Sequence, residues 1–241
     1  MKRTERHHLK ENEITVLARH ARGMVESRKR ETTFALAALV IVGAVALGYM
    51  AWSGRTDSRG EGLLAEAMVV AETRVGAPIA PGTPGAGPSF PTERARSEAA
   101  LAKFKAAADA YPESDAGVFA RYRQATLEAA LGNSEQAIAA YQQVIDRAGD
   151  RIYGQMARLG LAEAQARSGQ YEQAINTFKE LAQLEDGPLP VDGVLMQLGL
   201  TYRDAGNAAE AQQTFNRLVE EYPGSAFLAD AQRELDSLKK T

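Results

Sequence analysis

Side chains that could carry chemistry are few in this sequence and are concentrated near its N-terminus. The 241 residues include no cysteine, and the three histidines are His7, His8 and His20. The chain beyond residue 20 therefore lacks thiolate zinc ligands and the Ser-His-Asp and Cys-His arrangements of nucleophilic catalysis. The His7-His8 pair lies near Glu11, but a tandem pair in a charged tail is more often solvated than metal-bound.

One acidic pair is a candidate for general acid–base chemistry. Asp109 and Glu113 lie four residues apart where a predicted helix ends. Carboxylates at such a position are typically solvated, and ion pairing or hydration keeps them ionised. We therefore expect no catalytic residue, no cofactor and no metal ion, and we do not expect an enzyme.

Charge is distributed unevenly along the chain. Residues 1–31 hold nine Lys/Arg and five Glu, a net charge of +4, whereas residues 93–241 hold sixteen Lys/Arg and twenty-two acids, a net charge of −6. The whole chain has a net charge of −3, which argues against a general nucleic-acid binder. The basic and acidic regions lie on opposite sides of one apolar run.

The apolar run, residues 33–52, has no charged side chain in twenty residues. A helix of this length reaches about 30 Å, the thickness of a bilayer core. Arg28, Lys29 and Arg30 precede it, and Tyr49 and Trp52 lie at its far end as interfacial anchors would. The excess of Lys and Arg on the N-terminal side predicts a cytoplasmic N-terminus and a periplasmic C-terminal domain on an inner membrane.

Two features of this N-terminal region have alternative interpretations. Ala46-Leu47-Gly48 is an acceptable cleavage site, so a signal peptide is the alternative to a retained anchor. The 31-residue basic region and the long apolar run favour the anchor. Residues 12–27 have one apolar face, which predicts a helix that lies on the inner leaflet or docks a cytoplasmic partner, or else an extension of the membrane helix.

Beyond the membrane segment, one pattern occurs three times with a period of 37 residues. Each copy has a turn glycine, an alanine five residues later and an aromatic residue four further on. A fixed period in this range predicts an α-solenoid, a class of fold that usually binds other chains. The glycines are Gly132, Gly169 and Gly206; the alanines are Ala137, Ala174 and Ala211; the aromatics are Tyr141, Phe178 and Phe215.

The third copy resembles the tetratricopeptide repeat most closely. Its matching residues are Leu198, Gly199, Tyr202, Gly206, Ala211, Phe215 and Pro223. Small residues at 199 and 211 allow the paired helices to approach closely, and Pro223 ends the second helix. The family period is about 34 residues, so each unit carries a longer inter-repeat loop. The first copy is the least regular, with Arg121 and Gln124 at usually apolar positions.

The segments around the repeats predict the remaining organisation. Residues 61–75 have an apolar face and form either the partner of a helix at 92–110 or a stalk that continues the membrane helix. The Pro/Gly-rich stretch 76–91 is a linker. Ser225 is expected to N-cap a last helix through Lys239 that covers the final repeat. The expected domains are a basic tail (1–32), a transmembrane helix (33–52), a helix with linker (53–91) and the repeat domain (92–241).

The order of these parts resembles the YfgM-like ancillary subunits of the SecYEG translocon, which have a cytoplasmic tail, one membrane helix and a periplasmic tetratricopeptide domain. The segment 220–226 also resembles the Tol-Pal coordinating protein and outer-membrane assembly lipoproteins. The first resemblance implies a chaperone-like scaffold ancillary to translocation, whose partners are polypeptide clients or translocon subunits. The second implies an adaptor that bridges envelope complexes. Membrane lipid is the expected partner of residues 33–52, and the oligomeric state is left open.

Ligands of this repeat family usually lie on the concave face formed by the first helix of each repeat. The positions carried over by register form an apolar stripe that lacks the Lys/Asn set with which some relatives bind a C-terminal carboxylate. The alternative is that the protein's own helix, at 61–75 or at the C-terminus, fills this groove. The predicted partner-binding residues are Phe119, Tyr122, Met156, Leu159, Met196, Leu200 and Arg203.

Overall fold

The computed structural model describes residues 29–78, 87–184 and 187–239, and within 29–57 it describes the side chains of 38–48 only. The chain has two compact units, Met1–Arg55 and Thr56–Thr241. The described residues form an all-α fold with one very short strand pair. The helices are α1 (Lys29–Glu72), α2 (Glu93–Ala110), α3 (Asp115–Leu131), α4 (Ser134–Ala148), α5 (Ile152–Arg167), α6 (Tyr171–Leu181), α7 (Val191–Asp204), α8 (Ala208–Glu221) and α9 (Leu228–Leu238); the strands are β1 (Arg74–Val75) and β2 (Ser89–Phe90).

In the N-terminal unit, every side chain from Ala38 to Gly48 of α1 is exposed. The expected membrane segment at 33–52 has its two ends, 33–37 and 49–52, outside the described side chains. The basic tail, the histidines and the amphipathic stretch at 12–27 also lie outside the described residues. Within the described ranges, no helix has both the length and the apolar character needed to span a membrane.

The three predicted repeats are confirmed as the helix pairs α3–α4, α5–α6 and α7–α8. The turn glycines Gly132, Gly169 and Gly206 have φ values of +87°, +81° and +83°, a left-handed conformation that other residues adopt at a cost. Each glycine follows the first helix of its pair, and the second helix begins two residues later. This shared turn gives the three pairs the same sharp reversal of direction.

Among the described residues, the second compact unit contains three core clusters of buried residues. The largest joins the second and third repeats to α9 and includes Phe178, Phe215 and Leu235. The second joins α3, α4 and α5 around Tyr141. The smallest, around Phe104, lies at the N-terminal end of the unit. Because each cluster is formed by helices close in sequence, the unit has the nearest-neighbour packing of a solenoid.

The C-terminal part of α1 runs antiparallel to α2 and packs against it. It also contacts the turn that follows α2. A Cβ atom at Gly60 would lie 3.1 Å from Ser114 Oγ. Farther along, Lys103 forms an ion pair with Glu66 at 3.2 Å. Ala67 is fully buried in the cluster around Phe104. The segment expected at 61–75 therefore both continues the N-terminal helix and pairs with α2, and the compact unit begins at Thr56, ahead of the boundary expected at residue 92.

The last two residues of the segment expected to be helical at 61–75 form a strand that pairs with the C-terminal end of the expected linker, which the sequence did not predict. β1 and β2 are parallel, with Arg74 opposite Ser89 and Val75 opposite Phe90. The Arg96 guanidinium also donates a hydrogen bond to the carbonyl oxygen of Thr73 at 3.4 Å. These contacts fix the ends of the linker against the start of α2, and residues 79–86 lie outside the described ranges.

The last helix, α9, begins at Leu228 rather than directly after Ser225. The Ser225 hydroxyl donates to Asp192 Oδ2 at 2.6 Å and accepts from the Phe227 N–H at 3.0 Å. Ser225 therefore ties the turn before α9 to α7 instead of capping α9. Ala231 and Leu235 of α9 are buried in the core cluster of the third repeat, so α9 packs against that repeat.

Candidate aromatic and acidic surface on the first helices of the repeats

Three aromatic side chains from two helices meet on the face formed by the first helix of each repeat. Phe119 and Tyr122 lie one turn apart on α3, and Tyr153 lies near the start of α5. The Tyr153 ring centroid is 5.2 Å from that of Phe119 and 6.1 Å from that of Tyr122, with tilted planes. All three side chains are half-buried. We call Phe119, Tyr122 and Tyr153 the aromatic patch.

Tyr141 of α4 lies beneath the aromatic patch and supports it. Its ring centroid is 6.1 Å from that of Tyr122, and its hydroxyl donates to Thr126 Oγ1 at 3.4 Å. The ring fits because α5 has a glycine opposite it: a Cβ at Gly160 would lie 2.4 Å from Tyr141 Cζ. Burial raises the pKa of both Tyr122 and Tyr141, so both phenols stay protonated at neutral pH.

An acidic side chain completes this surface. Glu163 is half-buried on α5, and burial raises the pKa of its carboxyl above the ordinary value of 4.5, while the Arg167 charge lowers it. No basic side chain of the described residues lies within 4.0 Å of this carboxylate. The charge of Glu163 acts on Tyr122 and Tyr141, since it raises the pKa of each phenol. Glu163 therefore acts electrostatically on Tyr122 and Tyr141 and has no close basic partner among the described residues.

The C-terminal half of the predicted stripe is largely core. Met196 is only 6% exposed and belongs to the cluster that joins the second and third repeats to α9, so it is not available to a partner. Leu159 and Leu200 pack against the same cluster and are half-buried. The prediction for Met196 rests on register alone, and the register does not reveal that neighbouring helices cover this position. Met156 is half-buried on α5.

Arg203, the last residue of the predicted stripe, contacts the protein's own C-terminal helix. Its guanidinium forms an ion pair with Glu234 of α9 at 2.7 Å, and Asp204 accepts hydrogen bonds from it as well. The bond to Glu234 is the main cause of the raised pKa of Arg203. At the other end of α7, Asp192 accepts from Ser225. α9 and the turn before it therefore contact both ends of α7. For the third repeat, these contacts favour the alternative in which the protein's own helix fills the groove.

The acidic pair considered for catalysis is engaged in ion pairs between helices. Asp109 pairs with Arg121 of α3, and Glu113 pairs with Arg147 of α4. Arg121 also donates to Gln124 Oε1 at 2.6 Å. The polar residues that make the first repeat irregular thus form a polar network that joins α2 to α3. Among the described residues, no three His, Asp or Glu side chains form a metal-binding group.

Sequence reasoning missed two residues of this surface, Tyr153 and Glu163. Glu163 lies four residues after Leu159 and 37 before Leu200, so the repeat register places it on the same face. The predicted stripe does not include Glu163, because its residues were chosen among apolar side chains on this face, with Arg203 as the exception. Tyr153 lies before the residues that recur in each repeat. Its contact with Phe119 depends on where the inter-repeat loop ends and α5 begins. No signal in the sequence alone identifies that contact.

Two family profiles match the repeat region, both described as tetratricopeptide repeat. One matches residues 122–188 and the other residues 194–225. A search of curated proteins found no significant sequence match. The first stretch runs from the middle of α3 through the second repeat, and the second stretch covers nearly all of the third repeat. Both agree with the helix pairs of the structure.

Solved structures share this fold at low sequence identity. The nearly identical TPR-like repeats of the putative kinesin light chain from Podosopora anserina align with a TM-score of 0.57 and 13% identity, over 76% of this chain and 87% of that chain. BtubC (BKLC) from P. vanneervenii aligns with a TM-score of 0.54 and 14% identity, over 78% and 83%. At such identities the likeness concerns the fold alone. Residues 122–188 and 194–225 are therefore tetratricopeptide repeats, stacked as an all-α solenoid that is typical of non-catalytic protein–protein interaction scaffolds.

Proposed function

We propose that this protein is a membrane-anchored scaffold that binds polypeptides on the extracytoplasmic side, ancillary to protein translocation. The observation that carries the binding role is the aromatic patch, which gathers half-buried rings from two repeats on the face where first helices line up. Aromatic side chains are favoured anchors at protein interfaces because they bury a large area at low entropic cost. The order of parts, similar to the translocon-ancillary family, supports translocation as the context.

Membrane anchoring rests on the apolar run and its exposure. Leu39, Val40, Ile41 and Val42 are 62–71% exposed on consecutive positions of α1, so the apolar surface extends around the helix. Helices that are apolar on all sides are normally covered by protein or by lipid. Within the uncharged stretch 33–52, lipid is the cover that the length and the flanking Arg28-Lys29-Arg30 favour.

Topology is tested with C-terminal fusions of the full chain. An alkaline phosphatase fusion, which is active only outside the cytoplasm, should be active, and a green fluorescent protein fusion at the same position should be dark if it is exported unfolded. N-terminal sequencing of the purified protein should find the residues before the apolar run retained. A new N-terminus near Tyr49 would instead indicate a cleaved signal peptide.

The binding role is tested by photo-crosslinking in intact membranes. A photoreactive phenylalanine is placed in the full chain at position 119 or 122 of the aromatic patch, with position 212 on the exposed side of α8 as the matched control. Crosslinks to translocase subunits or to secreted chains at 119 and 122, and not at 212, would support the proposal. Crosslinks to Tol components or outer-membrane assembly proteins would favour the envelope adaptor. Equal yields at all three positions would reject the patch as the binding surface.

A further inference from the structure

A cleft of about 210 Å³ opens between α6, α7 and α8, on helices other than those that carry the aromatic patch. Its floor belongs to the core, since Ala182, Leu195 and Leu198 are buried. α6 has eleven residues, whereas α4 has fifteen and α8 has fourteen. Ala182 and Gln183, the two residues after the end of α6, line the cleft. The cleft therefore lies beside a second helix that ends earlier than its counterparts in the other repeats.

The charged side chains that line this cleft are basic. Lys179 of α6 is exposed and Arg217 of α8 is half-buried, and no acidic side chain is found among the described residues of the lining. The repeat region, residues 93–241, has a net charge of −6. The cleft is therefore a local exception to the acidic character of the region, and it would attract an anion rather than a cation.

Both basic groups can still bind a ligand. Within the part of the chain that the structure describes, Lys179 forms no ion pair within 4.0 Å. Glu221 accepts a hydrogen bond from Arg217 Nε at 2.9 Å, and no other acceptor of the described residues bonds the two terminal nitrogens of that guanidinium. The cleft can therefore offer an ammonium group and part of a guanidinium group to an anion.

The volume of the cleft limits the size of the apolar part of a ligand. A cavity of about 150 Å³ lined by apolar side chains holds a molecule the size of benzene. By that measure, a cleft of about 210 Å³ holds an apolar group of about six to eight carbon atoms. Burial of such a group on the leucine floor is favourable because it removes apolar surface from water. The size and the charge together indicate a short apolar chain with an anionic head.

We propose that this cleft binds a medium-chain carboxylate, an unbranched chain of about six to eight carbons with one anionic head. The chain lies on Leu195 and Leu198, and the carboxylate faces Lys179 and Arg217. A planar carboxylate matches the geometry of the guanidinium nitrogens, and an ammonium group adds a second charge-assisted hydrogen bond. This inference goes beyond the scaffold function proposed above and does not depend on it, because the aromatic patch and the cleft lie on different helices.

The test uses the full chain in lipid nanodiscs, with isotope-labelled leucine methyl groups observed by nuclear magnetic resonance. Octanoate is titrated at neutral pH, and octanamide, which has the same chain without the charge, is the matched ligand. The methyl signals of Leu195 and Leu198 should shift and saturate with octanoate, with a dissociation constant on the order of 1 mM. Leu161, buried in the cluster around Tyr141, should not shift. Octanamide should bind about fivefold more weakly, as the loss of an exposed ion pair implies.

Two pairs of variants test the assignment to this cleft. Lys179→Gln should reduce the preference for octanoate to about twofold or less and leave octanamide binding unchanged. Lys105→Gln, at an exposed lysine of α2, should retain the preference. Gln213→Trp places a large ring at an exposed position of the lining and should weaken both ligands about tenfold, whereas Gln212→Trp, exposed on the same helix outside the lining, should weaken neither. Unchanged methyl signals of Leu161 check that each variant is folded.

Several results would overturn this inference. These are octanamide binding as tight as octanoate binding, a preference that Lys179→Gln leaves unchanged, equal shifts at Leu161 and Leu195, or a dissociation constant above about 5 mM. Tighter binding of a peptide that ends in a leucine carboxylate would also overturn it, because the cleft would then be assigned to a polypeptide end. Crosslinks at positions 119 and 122 do not depend on any of these results, so the scaffold function is tested separately.

Discussion

Gly199 of α7 lies directly against the ring of Phe215 of α8, and a Cβ atom at Gly199 would be 2.4 Å from Phe215 Cε1. Phe215 is fully buried, and the helix it belongs to also presents the fully buried Ala211. The two helices of the third repeat are therefore so close that only a residue without a side chain fits at position 199. Their contact predicts which substitutions this repeat tolerates.

Gly199→Leu should unfold the third repeat, whereas Ala209→Leu, on the exposed side of α8, should not. The first change inserts bulk where the helices touch, and overpacking of this kind costs about 1–3 kcal/mol or more. Ala211→Leu is expected to behave like Gly199→Leu. Thermal denaturation of the full chain, followed by circular dichroism, measures the effect. Equal midpoints for Gly199→Leu and Ala209→Leu would contradict the contact.

Gly160→Ala should destabilise the junction between the first and second repeats. The new methyl group would meet the Tyr141 ring, because a Cβ atom at this position would lie 2.7 Å from the Tyr141 hydroxyl oxygen. We expect a loss of about 1–3 kcal/mol in the free energy of unfolding. Tyr141→Leu removes the clashing atoms, so the double variant should lose less than the sum of the two single changes. Strict additivity in this double-mutant cycle would argue against the contact.

A fragment that begins at residue 56 should be more stable than one that begins at residue 92. The longer fragment retains Ala67, which is fully buried in the cluster around Phe104, and the shorter one exposes that cluster. The apolar area lost to water lowers stability at roughly 25 cal/mol per Å². Urea denaturation of the two fragments measures the difference. Identical midpoints would mean that α1 contributes nothing to the repeat unit.

Glu163 should make the free protein less stable as the pH rises. Its pKa in the folded protein is raised above 4.5, so the folded state binds more protons than the unfolded state in the range just above that value. The free energy of unfolding therefore falls as the pH increases through this range, and the loss persists at neutral pH. Tyr122 and Tyr141 titrate only at alkaline pH, so their phenols do not contribute here.

Glu163→Gln should remove this dependence. The variant is expected to have a higher melting temperature than the unmodified chain at pH 7, and the two should converge near pH 4. Glu172→Gln serves as the exposed control, with no such difference. A lower melting temperature for Glu163→Gln at pH 7 would mean that the carboxylate has a stabilising partner.

The fold was predictable from the sequence where a local rule repeats. The turn glycines, the small residues and the aromatic residue of each unit recur with a period of 37, and the structure places them at equivalent points of three helix pairs. The candidate surface was predictable only in part, because register assigns a face to a residue without stating what covers it. Phe119 and Tyr122 lie on the aromatic patch, whereas Met196 is core.

The features that were not predicted depend on polar positions or on contacts between distant segments. The spacing of Glu163 from Leu159 is visible in the sequence, but a rule restricted to apolar positions does not select a carboxylate. The contact of Tyr153 with Phe119 joins two repeats across a loop whose geometry the sequence does not specify. The pairing of β1 with β2 likewise depends on the antiparallel packing of α1 on α2. Long-range packing of this kind has no local signature in one sequence.

The unequal size of the three core clusters has a mechanical consequence. Counting only residues that the structure describes, the cluster around Phe104 has six buried residues, whereas the one around Phe215 has fifteen. A pulling force applied to the chain from the N-terminal side of Thr56 reaches the smaller cluster first. In a solenoid, each layer can detach without the next, so α1 and α2 should peel away while the second and third repeats stay folded. If the N-terminal segment is held in a membrane, α1 and α2 would detach before the force unfolds the repeats that carry Glu163 and the tyrosines.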